Sequence, residues 1–598
     1  MGGWYAGGAA AFPGPKRARG AGRLLHARGL AWNLHGPLAK AGSMTNQADL
    51  NLGEFAVQDI WAHAARQFSQ RPAIDFLGRR WTYGEADAFV DRTAAGLQAL
   101  GVVKGDRVGL CLPNTPYSVF FFFAILKIGG TVVNYNPLYV ARELDHLIRD
   151  SGTTVLVTID IEEIYGKLNS VARAAGVRKM IVCSLGGALP PVKSMIYNVM
   201  RWNHRVRTLP NDGYHVWFEA LLAGGGQLTP VVVDPATDIA VLQYTGGTTG
   251  TPKGAMLTHA NVVANCRQID AVASGLQPGV TRGGERLLAV LPLFHVFAMT
   301  CCMNYGFMIG AEIVLLPRFV LRQCIKTLAR QKITIFHAVP TIYSAIAKEA
   351  TKSRTDLSSI RLCISGGAPL PAEIRQSFER VTGCTLIEGY GLTEASPVVA
   401  CNPPNASARD GAVGLPLKDT IVELRDPETG KRITGVGEKG EILVRGPQVM
   451  RGYWNRPAET AAVFDDGALC TGDIGYFDAD GYLFVVDRIK DVILCGGFNV
   501  YPRVIEDALY QHPAVAEAIV IGIPDEYRGQ APKAFVVLRP DASATPEDLL
   551  TFLEDYISKL ERPKIIEFRT VLPKTFVGKL SRKELVEEEA GKSGATTK

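Results

Sequence analysis

From residue 75 to about residue 475, short β-branched runs alternate with segments of helical periodicity. Val90, Ala94, Leu97 and Leu100 recur at helical spacing, and Gly101 closes that helix. Residues 107–112 read as a strand and 117–128 as the helix after it. Further strands are expected at 239–242, 287–291, 333–338 and 360–365, with helices at 320–331 and 372–381. Parallel strands need crossover helices, and those helices bury both faces of the sheet. The repeated alternation therefore predicts an α/β class of fold, largely parallel sheets covered by helices. After residue 475 the pattern changes. Residues 478–481 look like a hairpin turn, and a compact α+β pattern follows the charged cluster at 487–491. Within it, Thr545, Pro546 and Asp548 form a helix start: hydroxyl cap, proline in the first turn, acid three residues on. At 598 residues the chain exceeds one ordinary core. The expected division is a leader at 1–48, a large domain at 49–489 and a smaller one at 490–598.

The net charge of +6 is local. Lys16, Arg17, Arg19, Arg23, Arg28 and Lys40 lie in an acid-free leader, and without them Lys+Arg equals Asp+Glu. No nucleic-acid surface is indicated. The leader suits either a dispensable extension, since a more ordinary sequence begins at Met44, or a mitochondrial-type targeting segment; scarce hydroxyl residues favour the former. Eleven cysteines without a CxxC pair fit a reducing cytoplasm rather than a disulfide or zinc scaffold. The most apolar stretch, 117–126, ends at Lys127 and is too short to span a bilayer, so it reads as a buried helix.

The densest chemical signal is the segment 244–256, YTGGTTGTPKGAM, between the apolar run 239–242 and a helix expected at 261–267. Thr245, Gly246, Gly247, Thr248, Thr249 and Gly250 offer backbone N–H groups and hydroxyls to phosphate oxygens, and Lys253 adds a full positive charge. Glycine permits the close approach this requires. The segment is not a P-loop, because no GxxxxGK[ST] string occurs in the chain.

This loop resembles the phosphate-binding signature of the adenylate-forming superfamily, which includes acyl-CoA synthetases, firefly luciferase and adenylation domains. Further matches follow in the family's order: 291–295 (LPLFH), 365–370 (SGGAPL), 388–394 (EGYGLTE), 471–473 (TGD), 487–490 (DRIK) and 573–579 (PKTFVGK). The resemblance spans about residues 50–590 and implies ATP, Mg²⁺ and coenzyme A as the small molecules handled. It implies that Thr248, Thr249 and Lys253 hold the β- and γ-phosphates. Thr245 and Glu394 would hold the magnesium, a hard ion that prefers oxygen ligands. Gly367, Ala368 and Pro369 with Glu388, Gly389, Tyr390, Gly391 and Thr393 would form the adenine side, Tyr390 stacking. Asp473 and Arg488 would reach the ribose. Lys579 is the expected adenylation catalyst, stabilising charge between carboxylate and α-phosphate. Lys490 resembles the hinge on which a mobile C-terminal domain turns, bringing Gly496, Gly497 and Phe498 to a pantetheine tunnel.

His295 reads on residue type alone as a satisfied core histidine; the resemblance makes it a binding residue near the reacting carboxylate, with Val296 and Met299 beside it. A fatty acid is already ionised at neutral pH, so no general base is needed. The segment 296–310 is rich in small, sulfur and aromatic residues, which suits either a hydrocarbon pocket or ordinary helix core. The basic, apolar segment 190–210 suits either an anionic membrane surface or packing on its own domain. It is similar to an insertion in bacterial long-chain fatty-acid–CoA ligases, so the expected partners are a medium- or long-chain carboxylic acid and coenzyme A. A dicarboxylate- or aryl-CoA ligase, an acyl-AMP ligase serving a carrier protein, and a non-catalytic acyl-nucleotide sensor remain the alternatives. A cytoplasmic setting is expected, with attachment to the inner face of a membrane and homodimerisation left open.

Overall fold

The computed structural model describes residues 55–245, 252–405, 409–495, 498–575 and 579–595. The predicted leader lies outside them.

A seven-stranded sheet runs in the order His215–Trp217, Lys179–Cys183, Val155–Ile159, Arg107–Leu110, Thr131–Asn134, Ile239–Thr245, Lys253–Thr258. Every neighbouring pair is parallel except the last, an antiparallel hairpin. The helix Pro116–Lys127 crosses from one parallel strand to the next, and Pro116 through Leu126 are all buried. Phe120–Phe123 are each at most 2 % exposed. Each such phenylalanine contributes about 1.5–3 kcal/mol by leaving water, which accounts for a helix with no polar face.

A second set of strands, Pro72–Phe76, Glu312–Leu315 and Arg286–Ala289, is also parallel. Single parallel bridges at Ile335 and Ala338 join it to Leu362–Ser365 and Thr385–Gly391. The strand expected at 333–338 is therefore only a pair of bridges. Its backbone still bonds to its neighbours, Phe336 N donating to Leu362 O at 3.0 Å and Ala338 N to Ile364 O at 3.3 Å. Tyr343 Oη also donates to Phe336 O and accepts from Ala338 N, and His337 Nδ1 accepts from Ile364 N.

Residues 421–488 build a third, wholly antiparallel sheet containing Gly440–Arg445, Ala468–Phe477 and Leu483–Arg488. The hairpin turn expected at 478–481 closes its last pair, with Asp478 N donating to Tyr482 O. Beyond it, a separate apolar cluster from Ile493 to Ile566 packs around the antiparallel pair Val515–Asp525 and Gly529–Leu538. Thr545 caps the helix Pro546–Leu553, accepting from Asp548 N at 3.1 Å while Asp548 answers at Thr545 N. All eleven cysteines are free thiols. No described helix is long and apolar enough to cross a membrane.

Candidate active site

A second strand, Lys253–Thr258, stands between the strand Ile239–Thr245 and the helix that follows. Ile239–Thr245 pairs with Lys253–Thr258, and Thr245 stands opposite Lys253. Thr258 then caps the helix His259–Ala273, accepting from Asn261 N while Asn261 Oδ1 accepts from Thr258 N. Gly246, Gly247, Thr248, Thr249 and Gly250 lie outside the described residues.

The free edge of Lys253–Thr258 pairs with residues 451–454: Met256 N donates to Gly452 O at 2.9 Å and Trp454 N to Gly254 O at 2.8 Å. That docking sets the Tyr453 ring 5.2 Å from the Lys253 ammonium. Tyr453 Oη in turn donates to Glu394 Oε1 at 2.8 Å. Glu394 sits in the single turn Thr393–Ala395, between the strands Thr385–Gly391 and Val398–Cys401. Gly391 is required there, because a Cβ would run into the Pro397 carbonyl. The hairpin lysine and the turn carboxylate thus meet through one tyrosine, which the sequence reading did not single out. No chemical motif surrounds Tyr453, and only its pairing with the hairpin edge reveals it.

The remaining groups gather at the carboxyl ends of parallel strands, where open α/β sheets bind ligands. Ser365 and Glu388 are register partners at the ends of Leu362–Ser365 and Thr385–Gly391. Glu388 Oε1 accepts from Leu370 N at 3.2 Å, tying the loop with Gly367, Ala368 and Pro369 to the strand that carries Gly389 and Tyr390. Burial pushes the Glu388 carboxyl up to about 7, with Arg503 opposing the rise. Tyr390 Oη donates to Asp473 Oδ2 at 2.6 Å, and Arg488 Nε donates to Asp473 Oδ1 at 3.2 Å. Asp473 and Arg488 face each other because they are cross-strand partners. Burial raises the Asp473 carboxyl above its usual range, and Arg488 opposes that.

Lys579 comes to the same place from the far end of the chain. A Cβ built on Gly367 (φ +79°) would stand 2.6 Å from Lys579 Nζ. Burial, then the charge of Arg488, brings the Lys579 ammonium down to about 8. His295 follows the strand Arg286–Ala289, and burial reinforced by Lys579 holds its imidazole down at about 3, so it is neutral at pH 7. Its Nδ1 accepts from Phe297 N at 3.3 Å. Val296 and Met299 are buried, and Met299 Sδ accepts from Asn134 Nδ2 at 3.7 Å in a turn of π-helix, Ala298–Asn304.

Two expected residues are exposed rather than buried in this cluster. Lys490 is exposed in the turn Ile489–Asp491. Phe498 is 65 % exposed in a short strand paired with Ile493–Cys495, and Gly496 and Gly497 lie outside the described residues.

For a magnesium ion the donor set fits. Among the described residues no Lys, Arg or His lies within ion-pair distance of Glu394, although burial raises its carboxyl and so penalises its charge. A dication beside it would relieve that penalty. Magnesium keeps several waters and phosphate oxygens, so a single protein carboxylate can serve it.

Residues 61–454 match the family described as AMP-binding enzyme, and residues 504–579 match the AMP-binding enzyme C-terminal domain. The chain is 41 % identical over 543 residues to the long-chain-fatty-acid–CoA ligase of Bacillus subtilis (strain 168), covering 90 % of this chain and 96 % of that one. The ATP-bound crystal structure of MatB from Rhodopseudomonas palustris superposes with a TM-score of 0.77 at 28 % identity, covering 89 % of this chain and 99 % of the other. The anthranilate CoA ligase AuaEII in complex with anthranoyl-AMP gives 0.77 at 29 % identity, covering 91 % and 99 %.

Proposed function

The chain belongs to the AMP-binding enzyme family, and from that membership we propose that it is an ATP-dependent ligase joining a long-chain fatty acid to coenzyme A through an acyl-adenylate. The observation that carries the reading is the seating of Lys579 against Gly367, with His295 beside it. The substrate class rests on the B. subtilis relative.

In the first step a carboxylate oxygen attacks the α-phosphorus of ATP, and the α–β P–O bond breaks to release pyrophosphate. Lys579, still largely protonated at pH 7, stabilises charge on the reacting oxygens. Asp473 and Arg488 orient the ribose, and Tyr390 presents its ring to the adenine. The neutral His295 lines the carboxylate side without adding charge. Glu394 and Thr245 would hold the magnesium, which neutralises phosphate charge when bound. In the second step the coenzyme A sulfur attacks the acyl carbonyl, the thioester forms, AMP leaves with the bonding electrons and the thiol proton passes to solvent. The segment at Lys490 is the proposed pivot between the two steps.

The test is pyrophosphate release with acids from acetate to oleate, pimelate and coumarate included, with and without coenzyme A. Turnover greatest with long-chain acids and dependent on coenzyme A is expected. Turnover only with a phosphopantetheinyl carrier protein would replace the acceptor, and preference for pimelate or coumarate would replace the acid. Nucleotide binding with no release from any acid would mean a sensor.

A further inference from the structure

The helix Pro191–Met200 is amphipathic in reverse. Val192, Met195, Ile196, Val199 and Met200 fall at the spacing of one helical face. That face points to solvent: the five are 66, 64, 47, 71 and 77 % exposed. The opposite side carries Ser194, Tyr197 and Asn198, which are half-buried against the domain. Asn198 lies so close to Gly186 that a Cβ there would stand 2.7 Å from its Oδ1, and Lys193 Nζ donates to Leu77 O at 2.6 Å. Trp202, 52 % exposed, extends the apolar ridge past the helix end. A helix packed on its own domain would place these faces the other way round.

The segment that carries the ridge has charge of one sign. From residue 164 to residue 211 the chain contains no aspartate or glutamate but eight lysines and arginines. Arg173, Arg178 and Arg205 find acids elsewhere in the fold, at Asp212, Asp106 and Asp160. Among the described residues Lys193, Arg201 and Arg207 have no acid within ion-pair distance, and Arg207 lies 4.4 Å over the Trp202 ring. An apolar ridge flanked by unpaired cations and an interfacial tryptophan matches the boundary between anionic headgroups and acyl chains. A second copy of the chain fits less well, because a two-fold contact through this ridge would set Arg201 and Arg207 against themselves.

We propose that the face made by Val192, Met195, Ile196, Val199, Met200 and Trp202, with Arg201 and Arg207, seats the protein on an anionic lipid bilayer. This attachment is independent of which acid the active site takes.

The experiment is co-sedimentation of the full chain with vesicles of phosphatidylglycerol and phosphatidylcholine in equal parts, and with phosphatidylcholine alone. Binding to the anionic vesicles that weakens as salt rises is expected. M195E/V199E should abolish it, and R201A/R207A should weaken it on the order of tenfold. R322A/K326A, a surface charge pair on the helix Leu321–Arg330, should leave it unchanged. All three variants should keep the wild-type melting temperature and ATP–pyrophosphate exchange. The proposal is overturned if the wild type stays in the supernatant, or if the ridge variants sediment like the wild type. It is also overturned if light scattering finds a dimer that M195E/V199E dissociates while vesicles remain unbound.

Discussion

Lys579 lies against Gly367, so close that the glycine has no room for a side chain: a Cβ there would stand 2.6 Å from the lysine Nζ. The two are separated by more than two hundred residues of sequence, and the apolar residues flanking them, Ile364 and Leu370 on one side and Leu572 and Leu585 on the other, belong to different hydrophobic clusters. Gly367 is also held at φ +79°, a conformation that costs an L-residue about 1–2 kcal/mol. The glycine therefore has two reasons to be one, and the first of them, the contact, exists only while Lys579 is seated.

Gly367→Ala should impair adenylation more than it impairs thioester formation from preformed acyl-AMP, because the first half-reaction needs the lysine in place. Lys579→Ala should lower adenylation about 10²–10³-fold, the usual loss when one preorganised charge stabiliser is removed. Its transfer half-reaction should remain near the wild-type rate. Rapid-quench measurement of each half-reaction checks both variants, and equal losses in the two steps would refute the separation of roles.

The pH dependence follows from the same lysine. Burial and Arg488 bring its ammonium to about 8, so the charged form is present below that pH and is lost as pH rises through it. kcat/KM for adenylation should therefore fall on the basic side with a midpoint near pH 8. Arg488→Gln removes the neighbouring cation and should move that midpoint upward. His295, neutral throughout this range, should contribute no step.

Tyr453→Phe keeps the ring near Lys253 and removes the hydroxyl that donates to Glu394. A hydrogen bond to a carboxylate contributes roughly 1.5–3 kcal/mol, so the magnesium requirement and the KM for ATP should both rise by about tenfold or more. Tyr453→Ala should cost further through loss of the ring. Initial rates titrated in magnesium at fixed ATP separate the two effects. If Tyr453→Phe behaves as wild type, Glu394 is positioned by its backbone contact to Met450 alone.

What the sequence made legible was everything local in the chain. The hairpin turn at 478–481, the Thr545 cap and the buried run of phenylalanines each carry their meaning in neighbouring residues. The Asp473–Arg488 pair was legible as two fragments, but their contact depends on strand register. Tyr453 was not legible, because its position comes from the edge pairing of Gly254 and Met256 with residues 452–454. The strand expected at 333–338 is reduced to single bridges at Ile335 and Ala338, where Tyr343 Oη shares the Phe336 and Ala338 backbone groups, and no periodicity reports that contact. The orientation of the helix Pro191–Met200 was likewise undecidable, since its periodicity is the same whichever face turns inward.

Arg582 joins the two sides of the segment proposed as a pivot. Its guanidinium donates to both oxygens of Glu506 at 2.7 Å, and it lies 3.5 Å from Asp487 and 3.4 Å from Asp491. The Asp487 side chain is only 2 % exposed, and burial already raises its carboxyl, with Arg582 the first opposing influence. Arg582→Met should therefore leave a buried carboxylate without its cation, a loss of about 3 kcal/mol once the partial exposure of the arginine is allowed for. Asp487 is a group whose folded-state pKa lies above its ordinary value, and removing Arg582 raises it further. Below that pKa the carboxyl is neutral and the missing cation matters little; above it the unpaired charge is present in full. The stability deficit should accordingly be largest at neutral pH and shrink on acidification, as read from urea unfolding of wild type and variant at several pH values. A deficit independent of pH would assign the role of Arg582 to packing of its aliphatic stem instead.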